Sequence, residues 1–132
     1  MDARIQQITL VVKSKADALE FYTEKVGFEK KTDVTDHGYR YVTVGPKGQD
    51  VELSLWEIGS PDAIGWSKDW KPRSAPPIFL VVDDCRKTFA ELKAKGVHFR
   101  EEPKEYPWGV WAIFSDPDGN LFQINQFSRR SP

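Results

Sequence analysis

Two runs of apolar, mostly β-branched residues, Ile8-Thr9-Leu10-Val11-Val12 and Ile78-Phe79-Leu80-Val81-Val82, stand seventy residues apart and open the same succession of patterns. Each run reads as a strand. Residues 15–25 and 84–95 then place apolar side chains at helical spacing among charges, Leu19 with Tyr22 and Phe89 with Leu92, and each predicted helix stops before a glycine, Gly27 or Gly96. Beyond the glycine the pattern predicts a short strand (28–34, 97–101), a strand of about six residues (39–44, 109–115), a Pro-x-Gly turn and a last strand (50–56, 121–127). The turns are Gly45-Pro46-Lys47-Gly48-Gln49 and Asp116-Pro117-Asp118-Gly119-Asn120, and their prolines are 71 residues apart. The repeating unit is therefore β-α-β-β-β: module 1 over residues 4–56 and module 2 over residues 77–127, joined by a linker at 57–76 that holds Gly59, Pro61, Gly65, Pro72 and Pro76. The expected fold class is α+β, two tandem modules in one domain over residues 1–132. A β-α-β-β-β sheet has one face covered by its helix and the other bare, so the two modules are expected to form a curved, cupped mixed sheet around a cavity.

Strand alternation sorts the side chains between those faces. Ile8, Leu10 and Val12 share one side of the first strand with Val51, Leu53 and Leu55 of the last strand of module 1, and Ile78, Leu80, Val82, Phe122 and Ile124 repeat the pattern in module 2. These sides are expected to meet the helices. The opposite face carries Gln7, Thr9, Glu52, Ser54, Gln123 and Asn125 together with the rings of Trp56, Phe79 and Phe127. A solvated antiparallel face is the plain alternative, but rings among such polar groups suit a ligand better than water.

Composition narrows the partners. Nineteen Lys and Arg against 20 Asp and Glu give a net charge of −1 with the signs interleaved, which leaves no basic stripe for nucleic acid or an anionic membrane. One cysteine excludes a disulfide framework, and Met1-Asp2-Ala3-Arg4 leads into a strand without a signal-peptide core, so a soluble cytoplasmic protein is expected. The aromatic load, 5 Trp, 4 Tyr and 8 Phe, is concentrated for tryptophan at Trp56, Trp66, Trp70, Trp108 and Trp111, away from the helix core positions. These indoles are expected to wall or cover a ligand cavity. His37 reads as a turn residue and His98 as a strand residue, neither in a ligand pattern, and Cys85 reads as a structural thiol at a helix start. No nucleophile elbow or phosphate-cradling glycine loop is present.

The strand Gln7-Ile8-Thr9-Leu10-Val11-Val12, the segment Ala18-Leu19-Glu20-Phe21-Tyr22 followed by Gly27-Phe28-Glu29, the exit Val82-Asp83-Asp84 and the turn Asp116-Pro117-Asp118-Gly119-Asn120 resemble the vicinal oxygen chelate superfamily over nearly the whole chain. That superfamily holds glyoxalase I, extradiol dioxygenases, fosfomycin-modifying transferases and bleomycin-resistance proteins, and one scaffold there hosts unrelated chemistries. By this resemblance, four metal-ligand places fall on Gln7, Glu52, Pro77 and Gln123. Pro77 has no side-chain donor and Gln123 offers an amide where a carboxylate is usual, so the implied metal site is half erased. No cofactor is expected, and a divalent zinc, nickel, manganese or iron ion on Gln7, Glu52 and Gln123 is the alternative; dioxygenase chemistry needs two histidine ligands that these places lack. The leading expectation is non-covalent binding of a small aromatic or cationic molecule in the bleomycin-resistance manner. The ligand contacts expected are Gln7, Thr9, Ser54, Trp56, Trp66, Trp70, Phe79, Trp108, Trp111, Gln123 and Asn125. A glyoxalase I-like lyase or isomerase, with or without metal and with Glu52 as acid/base of raised pKa or as ligand, is the rival; a structural or interaction protein that kept the fold is the third reading. The resemblance also implies a homodimer in which modules complete a cavity.

Overall fold

The computed structural model describes residues 1–58, 71 and 74–128. The chain divides into two compact units, Met1–Lys71 and Pro72–Pro132, each with one four-stranded sheet. In the first unit the strands are β1 (Gln7–Val12), β2 (Glu29–Asp36), β3 (Tyr39–Gly45) and β4 (Glu52–Glu57), ordered β1-β4-β3-β2. In the second they are β5 (Ile78–Val81), β6 (His98–Tyr106), β7 (Gly109–Ser115) and β8 (Leu121–Phe127), ordered β5-β8-β7-β6. Both sheets are mixed. The first strand of each unit lies parallel to the last, and the other pairings are antiparallel. Two β-α-β-β-β units are thus the architecture, in the α+β class that the repeat predicts.

The crossover in the first unit opens at Ser14, whose Oγ accepts the Asp17 N–H at 3.1 Å, and runs as α1 (Lys15–Glu20). Where the spacing predicts one helix over 15–25, the structure widens into a π-helical turn over Phe21–Val26 that ends on Gly27 at φ 87°. Adjacent Phe21 and Tyr22 are both buried there, ring edge to ring face at 5.1 Å. In the second unit α2 (Cys85–Ala94) is capped by Asp84, whose Oδ1 accepts the Lys87 N–H at 3.0 Å.

β2 and β6 run past the predicted ends at 34 and 101, to Asp36 and Tyr106. Both are edge strands rich in Lys, Glu and Asp, residues that read as loop on propensity but suit an outer strand. The turn between β2 and β3 puts His37 at φ 53° and Gly38 at φ 77°, the two left-handed residues of a tight hairpin.

The buried cores draw on the residues that the alternation assigns to the helix side, although Ile78, Leu80 and Val82 on that side are only half-buried and Val11, Ser54 and Gln123 on the opposite face are buried as well. Leu10, Val12, Leu53 and Leu55 join Tyr22, Val42 and Val44 in the first core, and Phe122 and Ile124 join Cys85, Leu92, Val97 and Phe114 in the second. Phe114 and Phe122 stack at 5.2 Å with planes 6° apart. Burial pushes the Cys85 thiol above its ordinary pKa, which makes it an inert core group. Among the described residues no helix is long and apolar enough to cross a membrane.

Candidate functional site

On the sheet face of the first unit turned away from α1, parallel pairing sets Gln7 opposite Glu52, Thr9 opposite Ser54 and Val11 opposite Trp56. Antiparallel pairing adds Thr43 beside Ser54 and Thr32 beside Thr43. The result is a connected polar network. Glu52 Oε1 accepts from the Thr32 hydroxyl at 2.7 Å and from the Thr43 hydroxyl, and Thr43 Oγ1 accepts in turn from the Thr32 N–H at 3.1 Å. Tyr41 donates its hydroxyl to Gln7 Oε1, and Trp56 Nε1 donates to Ser54 Oγ at 2.8 Å. A pocket of about 380 Å³ reaches Glu52 between Arg4, Ile5, Gln6 and Asp50.

These hydroxyls set the charge of the site. Hydrogen bonds from Thr43 first and Thr32 second hold Glu52 below its ordinary pKa of 4.5, against a smaller opposing effect of desolvation. The raised pKa expected of an acid/base Glu52 is corrected: the group is a stabilised carboxylate near neutral pH because donors to its charged form outweigh burial. Folding therefore gains from this carboxylate at every pH above its unfolded value and loses that gain as the pH falls through the lower, folded value. Thr43→Val removes the stronger donor and the acceptor of the Thr32 N–H. It should cost about 1–3 kcal/mol at neutral pH and move the acid limb of a urea-stability profile to higher pH. An unchanged acid limb would mean that Thr43 does not control this group.

In the second unit the equivalent face is a different surface. Parallel pairing sets Phe79 opposite Gln123 and Val81 opposite Asn125, and antiparallel pairing sets Ile113 by Gln123, Trp111 by Asn125 and Gly109 by Phe127. Phe79, Val81 and Phe127 are 58%, 65% and 47% exposed, and Trp108 in the turn before β7 is 58% exposed. Trp108 stacks on Tyr106 at 5.1 Å, and Tyr106 lies 4.9 Å from Trp111. Gln123 is buried and its Nε2 donates to Asn125 Oδ1 at 2.8 Å.

Gln7, Thr9, Glu52, Ser54 and Trp56 thus gather on one face of the first unit, and Phe79, Trp111, Gln123 and Asn125 on one face of the second with Trp108 in the adjoining turn. Trp66 and Trp70 lie outside the described residues. Pro77 precedes β5, and the strand residue paired with Gln123, as Gln7 is with Glu52, is Phe79. His37 is exposed in its hairpin turn, with Nδ1 2.9 Å from Asp36 Oδ1, and His98 is exposed on β6. Among the described residues no group of three or more His, Cys, Asp or Glu could hold a metal ion. Sequence reasoning missed Thr32, Tyr41, Thr43 and Tyr106. They lie on β2, β3 and β6, whose faces are assigned only once the register of these strands is known.

Two units of identical strand order, each pairing its first strand in parallel with its last, define a paired β-α-β-β-β protein. The chain belongs to the Glyoxalase/Bleomycin resistance protein/Dioxygenase superfamily, whose family model matches residues 4–124. It is 39% identical to the uncharacterized protein YurT of Bacillus subtilis (strain 168), over 93% of this chain and 98% of that one. Among solved structures, that of UcmS2 has a TM-score of 0.81 at 35% identity, covering 95% of this chain and 98% of that chain. TnmS3, an antibiotic binding protein from Streptomyces sp. CB03234, has a TM-score of 0.78 at 35% identity, covering 96% and 98%.

Proposed function

We propose that this protein binds a planar, ring-containing small molecule non-covalently and without a metal, in the manner of the bleomycin-resistance members of its superfamily. The observation that carries the reading is the face of the second unit, where Phe79, Val81 and Phe127 stand exposed on one side of a sheet beside the Tyr106, Trp108 and Trp111 rings. Exposed rings gathered in this way offer stacking surface at little conformational cost. The similarity to TnmS3, described as antibiotic binding, supports the same use.

The donor set argues against a metal. Of the four places that the family resemblance marks, Glu52 alone is anionic, and its Oε1 already accepts two hydroxyls. Gln7 Oε1 accepts from Tyr41, Gln123 is an amide tied to Asn125, and neither Pro77 nor Phe79 has a donor atom. Two amides and one carboxylate do not fit a divalent ion that prefers several charged or imidazole ligands. A glyoxalase I-like reaction is the second reading, favoured by the side-by-side placement of Gln7 and Glu52.

The test is a tryptophan-fluorescence titration with proflavine, a planar cation, and anthraquinone sulfonate, a planar anion, against a saturated ring compound as control. Saturable quenching by a planar probe, with the probe recovered chemically unchanged, is expected. Binding of the saturated compound equal to that of both planar probes would contradict ring recognition, and conversion of a methylglyoxal–glutathione adduct would favour the enzyme.

A further inference from the structure

The Trp111 indole nitrogen is closed off from solvent and has no hydrogen-bond acceptor among the described residues. A buried N–H without a partner costs stability, and in a protein that binds a ligand such a donor is a place for the ligand to complete. What surrounds it decides what the ligand must bring. Trp111 pairs in register with Asn125 on the same sheet face. The Asn125 carbonyl is used by the Gln123 amide at 2.8 Å, which leaves the Asn125 NH2 as a second donor beside the indole. Lys104, paired in register with Trp111 from β6, holds its ammonium 5.6 Å over the Tyr106 ring, and Phe79, Val81 and Phe127 supply apolar surface, so neither the ammonium nor that surface offers an acceptor.

We infer that the second unit recognises a hydrogen-bond acceptor, a carbonyl-type oxygen at the edge of a planar ring system, through Trp111 Nε1 and the Asn125 amide. This rests on the ring-binding reading above and names its ligand class. The cover over the indole can give way. Tyr106 lies against Trp111 and Trp108 stacks on Tyr106, and neither side chain makes a hydrogen bond among the described residues, so an entering ring exchanges one stacking contact for another. A ligand that offered only donors at its rim would leave the indole N–H and the Asn125 NH2 unpaired and would be selected against by the same desolvation.

The experiment compares anthraquinone sulfonate with anthracene sulfonate, which share ring area and charge and differ in the two carbonyl oxygens, by calorimetric titration of the full chain. Wild-type protein should bind the quinone about tenfold tighter, the effect of one satisfied buried donor. Trp111→Phe, which keeps a ring but deletes the N–H, should bring the ratio of the two affinities down to about one even where the loss of ring area weakens both, and Asn125→Leu should reduce the ratio in part. Equal affinity of wild type for the two compounds, or a preference that survives in Trp111→Phe, overturns the acceptor inference and leaves ring binding standing. Binding of neither compound overturns both.

Discussion

Gly109→Ala is expected to cost about 3–5 kcal/mol and to lower the melting temperature by roughly 10–20 °C. The reason is local. Gly109 begins β7 at φ 150°, and a Cβ built there would lie 2.0 Å from the Gln126 carbonyl oxygen and 3.0 Å from the Phe127 Cα. Those are backbone atoms of the paired strand, so relief requires β7 and β8 to separate at the point where Gly109 faces Phe127. Such a cost is a large part of the roughly 5–15 kcal/mol that holds a domain together. Gly38 provides the contrast, because its positive φ makes alanine strained but no atom lies within 4 Å of the added carbon; Gly38→Ala should cost about 1 kcal/mol. Circular-dichroism melts of the two variants check this, and equal melting temperatures would refute the backbone clash. The effect should reach function as well. Gly109 adjoins Trp108 and opposes Phe127, so a variant that still folds should lose part of the aromatic surface proposed to bind ligand.

The double variant Phe79→Ala, Phe127→Ala should behave in the opposite way. Both rings are about half exposed, so their removal should change stability by no more than about 0.5 kcal/mol each. If a planar ligand stacks there, each ring contributes contact area worth about 1–2 kcal/mol on binding, and losing both should weaken affinity by roughly a hundredfold. A calorimetric titration paired with a thermal melt separates the outcomes: affinity falls while the melt stays in place. A variant that binds planar probes like the parent would move the ligand away from the second unit.

The repeat makes the two-unit architecture legible in the sequence, because a spacing of about seventy residues links Ile8–Val12 to Ile78–Val82 and the two Pro-x-Gly turns. The face assignments of β1, β4, β5 and β8 follow from strict alternation, and the structure places Gln7 beside Glu52 and Phe79 beside Gln123 on that basis. The edge strands were less legible. In β6, His98-Phe99-Arg100-Glu101-Glu102-Pro103-Lys104-Glu105-Tyr106 is mostly charged and its pairing slips in register on both sides of Glu101, so no simple alternation survives to assign Tyr106 to the aromatic face. The environment of Glu52 lay beyond the sequence for a related reason. Its pKa depends on hydroxyls 9 and 20 residues away, brought close by the β2-β3-β4 register. An isolated carboxylate on a partly apolar face predicts a raised pKa, and two aligned threonines reverse the sign. The π-helical turn at Phe21–Val26 left no mark that a helical period could reveal, since an adjacent aromatic pair fits both geometries.

If the aromatic face, and not a metal, holds the ligand, binding must survive removal of metal. The direct measurement is calorimetric titration of chelator-treated protein, shown by elemental analysis to be free of metal, with anthraquinone sulfonate, repeated after adding one equivalent of nickel or zinc. Saturable binding with the same affinity and heat in all three samples is the result expected. Binding that appears only once metal is restored, and that Glu52→Ala abolishes, would contradict the account.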